Sequence, residues 1–512
     1  MFGVENGIRH FPRRRAARNQ TEVGKVNLNK FPRVVSATLL ALILFMVALS
    51  ANAQSADKQT PDKPDKQTAE KPGDSPEVQQ LKQRLQALEQ TVQELKGQIE
   101  SLGDGHKQPA PAIVEATYSA PSTPTEAAPK PQDGEKKGES TFEIYGFAML
   151  DAGYQFKQND PNWFDVIRPV KLPAFKDQFA PDGKTYFGVR QSRLGVKSST
   201  PTKYGELKTQ FEFELFGTGV DAGQTTFRLR HAYGELGAFG AGQTWSPFMD
   251  IDVFPNSLEY WGPNGMVFFR NVQFRWMPLK GRNSVTLAIE RPGASADQGQ
   301  FADRIELQGI RPKFDMPDFS GNVRFTRDWG YFQAAGMIRR IKWVDTINDD
   351  VDLDGSEIGA GINLTSNVKF TQNDTGRFAF VFGQGIQNYM NDAPVDIGIE
   401  LTPGGDPRRP ITGVALPMWS MVAFLDHNWN KRFSTAIGYS TLSIDNSNGQ
   451  TPDAFHRGHY ALGNLLFYPV ENVMIGGELQ WGRRDNFLDG FHSDDFRVQF
   501  SFKYNFSKKF TF

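Results

Sequence analysis

The chain of 512 residues has no cysteine. Disulfides, thiolate metal sites and cysteine nucleophiles are excluded together. Histidine is scarce, with seven in all, and His10 and His106 lie in the N-terminal part. Asp426-His427 stands near Ser420, but no G-x-S-x-G motif surrounds it, and His231 is a lone histidine on an expected strand. No catalytic constellation and no cofactor site is expected. Neither sign of charge dominates, with 57 Lys and Arg against 58 Asp and Glu, so no global basic field points to nucleic acid. Long apolar runs are also missing. The one run, Val34 to Leu49, is shorter than the roughly 20 residues a membrane-crossing helix needs.

Aromatics and glycine are plentiful: 42 Phe, 13 Tyr, 9 Trp and 49 Gly, under a negative mean hydropathy. A helical membrane protein would not combine these features, whereas a barrel alternating apolar and polar residues would.

Four segments precede that barrel. Arg13, Arg14, Arg15, Arg18, Lys25, Lys30 and Arg33 lead into the apolar run, and Ala51-Asn52-Ala53 follows it. This is the pattern of a signal peptide over 1–53. Residues 54–74 are rich in Lys, Asp, Gln and Pro and read as a disordered linker. Over 75–102, Val78, Leu81, Leu85, Leu88, Val92, Leu95, Ile99 and Leu102 step by three and four, which predicts an α-helical coiled coil, with Asp74 and Glu77 as a capping box. Its mostly β-branched a positions with leucine d positions favour two strands in simple zippers. Residues 103–140 carry six prolines among Ala, Glu, Lys and Ser and read as an extended spacer.

From residue 141 to 512 the period becomes two. In the last strand Phe496, Val498, Phe500, Phe502, Tyr504 and Phe506 alternate with Arg497, Gln499, Ser501, Lys503 and Asn505. Near 142–156, Phe142, Ile144, Leu150 and Tyr154 share one face, with Glu143, Asp151 and Gln155 on the other. Over 205–217, Leu207, Phe211, Phe213 and Leu215 oppose Glu206, Lys208, Gln210, Glu212 and Glu214. Glutamates aimed at a common interior make sense if that interior is water. Short connections are expected at 200–203, 427–432 and 468–472. Long ones are expected near 157–184, 247–265, 342–356, 388–410, 444–456 and 483–494. The expected fold is all-β: a closed transmembrane antiparallel β-barrel of about 16 strands, behind an N-terminal coiled coil, in a bacterial outer membrane. The alternating C-terminal strand ends in Phe512 and resembles the signal read by outer-membrane assembly machinery. The lipid bilayer and lipopolysaccharide are expected partners.

Two blocks carry a family resemblance. Arg190-Gln191-Ser192-Arg193-Leu194-Gly195-Val196-Lys197 is followed by Thr200-Pro201-Thr202 and Gly205-Glu206-Leu207-Lys208. Then come Arg228-Leu229-Arg230-His231-Ala232-Tyr233-Gly234-Glu235 and Ala241-Gly242-Gln243-Thr244-Trp245-Ser246. Together they resemble DcaP-like outer-membrane porins over the barrel's N-terminal third. The resemblance implies a homotrimer, a periplasmic coiled coil and uptake of small anions such as dicarboxylates.

A pore selects by the charges at its narrowest point. Arg228 and Arg230 share strand parity and are expected to face the lumen. Arg190, Arg270 and Arg275 are further candidates, with Arg324 and Arg327, while Arg193 has the opposite parity to Arg190 unless a bulge intervenes. The segment Pro247–Gly265 is expected to fold inward as a constriction loop, placing Asp250, Asp252 and Glu259 opposite the arginines. Guanidinium can meet a carboxylate through two parallel hydrogen bonds. Trp245, Trp276, Trp329, Trp343, Trp419, Trp429 and Trp481 are expected in the interfacial girdle. The aspartates between Asp345 and Asp354 read as a solvated loop, with calcium binding or lipopolysaccharide bridging as the alternative. A diffusion channel for small polar solutes is the leading function; a phosphate- or sugar-selective porin and an envelope tether are the alternatives.

Overall fold

The computed structural model describes residues 139–512. The expected signal peptide, linker, coiled coil and nearly all of the spacer lie outside the described residues.

The described chain is a closed antiparallel barrel. Its first quarter holds β1 (Thr141–Gln155), β2 (Lys184–Gly188), β3 (Arg193–Thr202), β4 (Gly205–Phe216), β5 (Thr225–Leu236) and β6 (Phe239–Trp245). Next come β7 (Arg270–Leu279), β8 (Asn283–Glu290), β9 (Ile310–Pro312), β10 (Asp318–Arg327), β11 (Gly330–Asp345), β12 (Gly355–Lys369) and β13 (Asp374–Gln384). The hairpin of β14 (Ile397–Leu401) and β15 (Ile411–Ala415) stands apart as its own small sheet. β16 (Pro417–Asn430), β17 (Phe433–Ile444), β18 (Phe455–Phe467), β19 (Val473–Asn486) and β20 (His492–Thr511) complete the wall.

β2 and β3 pair with successive stretches of β1, and β9 and β10 with successive stretches of β11. Each pair therefore forms one interrupted stave, and the wall has 16 staves, as expected. Closure is by β1 against β20, in register from Thr141↔Thr511 to Gln155↔Arg497. Unpaired edge groups are not tolerated in hydrocarbon, so closure is what permits a sheet to cross a membrane at all.

The alternation read from sequence is the inside–outside alternation of this wall. Leu150, Phe211, Phe500 and Phe502 face outward and are exposed, while Asp151, Glu212, Glu214, Arg497 and Gln499 face inward and are buried among other polar groups. The staves join through short turns at one end, such as 203–204, 237–238 and 328–329, and through long loops at the other, such as 156–183, 246–269 and 385–416. Gly237, at φ 57°, turns where an added Cβ would lie 2.8 Å from the Tyr204 carbonyl.

Several expected boundaries shift. The loop expected at 483–494 shrinks to 487–491, because β19 and β20 keep pairing out to Asp485↔His492. The turn expected at 427–432 is only 431–432, since a bulge at Asn428/Asn430 lets β16 run on. The segment 291–309, between β8 and β9, is a further long connection, which the expected loops left out although Pro292-Gly293 opens it. Trp343 leaves the girdle: it faces inward beside the small hairpin and donates to the Leu353 carbonyl at 2.7 Å. Trp245 is likewise diverted, by Arg270, His231 and Phe268 packed around it. Trp276, Trp329, Trp419 and Trp429 remain exposed on the wall.

Candidate functional site: the lumen and its inward loop

The loop 246–269 leaves β6 after Trp245 and folds into the barrel, as expected. Its apolar residues explain why. Phe248, Met249, Val253, Met266 and Val267 are buried against Ala335, Met337, Val381, Val422, Leu442 and Leu462 on the lumen faces of β11, β13 and β16–β18. A wholly polar lumen would offer them nothing, so this side of the wall has turned apolar to receive the loop.

The loop backbone still needs partners, and wall side chains supply them. Asn322, Asn363 and Asn367 donate to the carbonyls of Pro247, Phe248 and Asp252 at 2.7–2.8 Å. Ser420 donates to the Gly265 carbonyl at 2.7 Å. Glu478 on β19 accepts the Leu258 and Glu259 amides at 2.7 and 3.0 Å. Loop carboxylates are held in return. Asp250 accepts from Arg324 at 2.6 Å, Tyr331 at 2.8 Å and Thr365 at 2.5 Å. Asp252 pairs with Arg324 at 2.5 Å, and its carbonyl receives Arg377. Glu259 accepts from the Ile167 and Gly262 amides and from Tyr460, with Arg497 at 3.6 Å. Burial pushes the Glu259 carboxyl up to about 7, against the pull of Arg497 and the amides.

A second tie joins three loops. Arg168 lies 4.2 Å from the Trp163 ring and 4.3 Å from the Trp261 ring, and pairs with Asp392 at 2.9 Å. These residues belong to the loops 156–183, 246–269 and 385–416.

Facing the loop, β3–β7 carry a cluster of guanidinium groups. Arg230 is clamped by Glu212 and by Glu214, the latter at 2.6 Å. Arg193 lies 3.5 Å from Glu212 and 3.8 Å from Glu214. Arg228 and Arg270 each stand 3.4 Å from Glu214. Tyr260 of the loop donates to Glu214 at 2.5 Å. Four guanidiniums thus share two carboxylates, and the cluster keeps a positive surplus.

Two irregularities assemble it. The break between β2 and β3 brings Arg190 and Arg193 inward together despite their opposite parity. A register shift between β4 and β5 does the same for Arg230 and His231, whose Nδ1 lies 3.0 Å from Thr244 Oγ1.

The eight sequence candidates divide by environment. Arg190 is buried on Asp165 at 2.6 Å, with its other nitrogens on the Gly217 and Gln224 carbonyls. Arg230, Asp250 and Glu259 are buried in the ties above, and Asp252 is nearly so. Arg275 bonds Gln273 and the Trp245 carbonyl and lies over Tyr233. Arg270 is enclosed, with 5% of its side chain exposed, whereas Arg228 keeps 30%. Sequence reasoning passed over Glu478, Arg497, Arg168 and Asp392. The first two stand at inward parity on alternating strands, which is a usable signal; the last two lie in loops and carry none.

No group of three or more His, Cys, Asp or Glu among the described residues is arranged to hold a metal. Asp345 and Asp352 accept backbone amides within their own loop.

The family described as DcaP outer membrane protein matches residues 125–506. No curated protein matches the chain. The outer membrane channel DcaP of Acinetobacter baumannii has the same fold, with a TM-score of 0.60, 19% identity, and coverage of 73% of this chain and 99% of that one. An anion-selective porin from Comamonas acidovorans aligns at TM-score 0.48 and 11% identity, over 72% of this chain and 100% of that one.

Proposed function

Since the chain belongs to the DcaP outer membrane protein family and is a porin channel rather than an enzyme, we propose that it passes small polar solutes and favours small anions, dicarboxylates among them. The supporting observation is the guanidinium surplus on β3–β7, where Arg193, Arg228, Arg230 and Arg270 outnumber Glu212 and Glu214. The facing acids Asp250, Asp252 and Glu259 are each engaged in holding the inward loop. Positive charge is therefore left to the aqueous path, and Arg228 is its most exposed member. In this reading Arg270 and Arg275 support the cationic wall, while Arg190 is taken up by Asp165 and the loop acids by the ties that hold the loop. A homotrimer carried on the coiled coil of 75–102, secreted through 1–53 and assembled through Phe512, completes the proposal.

The test is the reversal potential of single channels in planar bilayers under a salt gradient. The wild type should favour anions, and Arg228→Ala should move the potential toward the non-selective value. A cation-favouring wild type would overturn the reading.

A further inference from the structure

The pairing of β5 with β6 stops at Ala232↔Gln243, although β5 continues upward to Thr225. Above that point the two staves separate. Gln243 reaches across to the Leu229 and Arg230 carbonyls at 3.2 and 3.3 Å. Beside it lies a cavity of about 130 Å³ lined by Arg228, Leu229, Gln243, Phe268, Phe269 and Arg270. Arg228 has inward parity, while Leu229, Gln243 and Arg270 have outward parity. The cavity therefore sits in the thickness of the wall, at the long-loop end.

Its charge is not balanced. Arg270 is enclosed, yet its Nη1 has no hydrogen-bond acceptor, and the buried Nη1 of Arg228 has only the Glu214 carboxylate, 3.4 Å away and outside hydrogen-bond geometry. Both share Glu214 with Arg230, which already binds that carboxylate at 2.6 Å. A buried donor without an acceptor is costly, and more so when the group is charged. Water or an anion is needed, and the cationic surplus selects the anion. Below the notch the outer wall is apolar, with Phe211, Phe213, Val272, Phe274 and Trp276 exposed. An oxyanion above an acyl-binding surface describes a phosphorylated lipid.

The geometry points to a lateral oxyanion site in the barrel wall, in which Arg270 and Arg228 receive a phosphate group of an outer-leaflet glycolipid such as lipopolysaccharide. Gln243 holds the notch open, and Leu229 forms its outer lip. The site shares Arg228 with the proposed ion preference but not its readout, since binding is measured without a membrane potential.

The experiment uses full-length protein in detergent and native mass spectrometry. The probes are lipopolysaccharide with its lipid A phosphates, the same lipid dephosphorylated, and inorganic phosphate as competitor. The phosphorylated lipid should bind at least about tenfold more tightly than the dephosphorylated one, and Arg270→Gln should abolish that preference. Leu229→Trp fills the notch without removing charge and should do the same, provided heat-modifiable gel mobility shows a folded barrel. Competition by inorganic phosphate would support the same oxyanion site and show that free anions reach it. Equal binding of both lipids, or a preference unchanged in both variants, would overturn the site whatever the reversal potential shows.

Discussion

The Glu478 carboxylate on β19 receives the backbone amide of Glu259 at 3.0 Å. With its other oxygen on the Leu258 amide, it latches the inward loop to the wall opposite the loop's own origin. Replacing Glu478 by Ala strands two buried donors, at about 1–3 kcal/mol each. The expected outcome is a barrel that still closes but whose loop fluctuates, giving noisier single-channel currents than wild type.

Glu259 gives this latch a pH dependence. Its carboxyl in the folded protein titrates at about 7, raised by burial from an ordinary value of 4.5. A raised acid binds its proton more tightly when folded, so the stabilisation is full at low pH and is lost as pH rises through 7. Protection of the loop amides, taken relative to their intrinsic base-catalysed exchange at each pH, should accordingly be greater at pH 5 than at pH 8. Glu259→Gln should flatten that difference, and an unchanged profile in the variant would assign it to another group.

Arg168 should act on the barrel mouth at the long-loop end as a whole. Its guanidinium packs against both Trp163 and Trp261, whose rings meet edge-on, and pairs with the buried Asp392. Arg168→Ala leaves that carboxylate without its counter-ion, a loss on the order of 3–5 kcal/mol for a buried pair. Limited proteolysis should then cut the loops 156–183 and 385–416 faster than in wild type, while the barrel core stays resistant.

The outer wall makes a prediction of its own. Phe500 faces outward near the middle of β20, and Gln499 faces inward. Phe500→Lys would set a charge in hydrocarbon and should destabilise the folded barrel by about 2–4 kcal/mol in denaturant titrations from lipid vesicles. Gln499→Lys, on the wet side, should cost less. Equal losses would count against the assigned faces.

The sequence by itself determined the barrel: strand faces are set by a period of two that needs no distant partner, and repeat length gave about 16 staves, a number the pairing fixed. It also marked the loop after Trp245, because apolar residues such as Phe248, Phe254 and Trp261 stand where a solvent loop should be polar. What only the tertiary structure decided is where each charge is spent. Arg190 and Arg228 look alike in sequence, yet Asp165 neutralises the first and the second shares Glu214 with three other guanidiniums. Those partners lie on other strands and loops, and the breaks near Arg193 and Arg230 override simple parity. Burial and pairing are set by closure of the whole wall, so no local pattern could announce them.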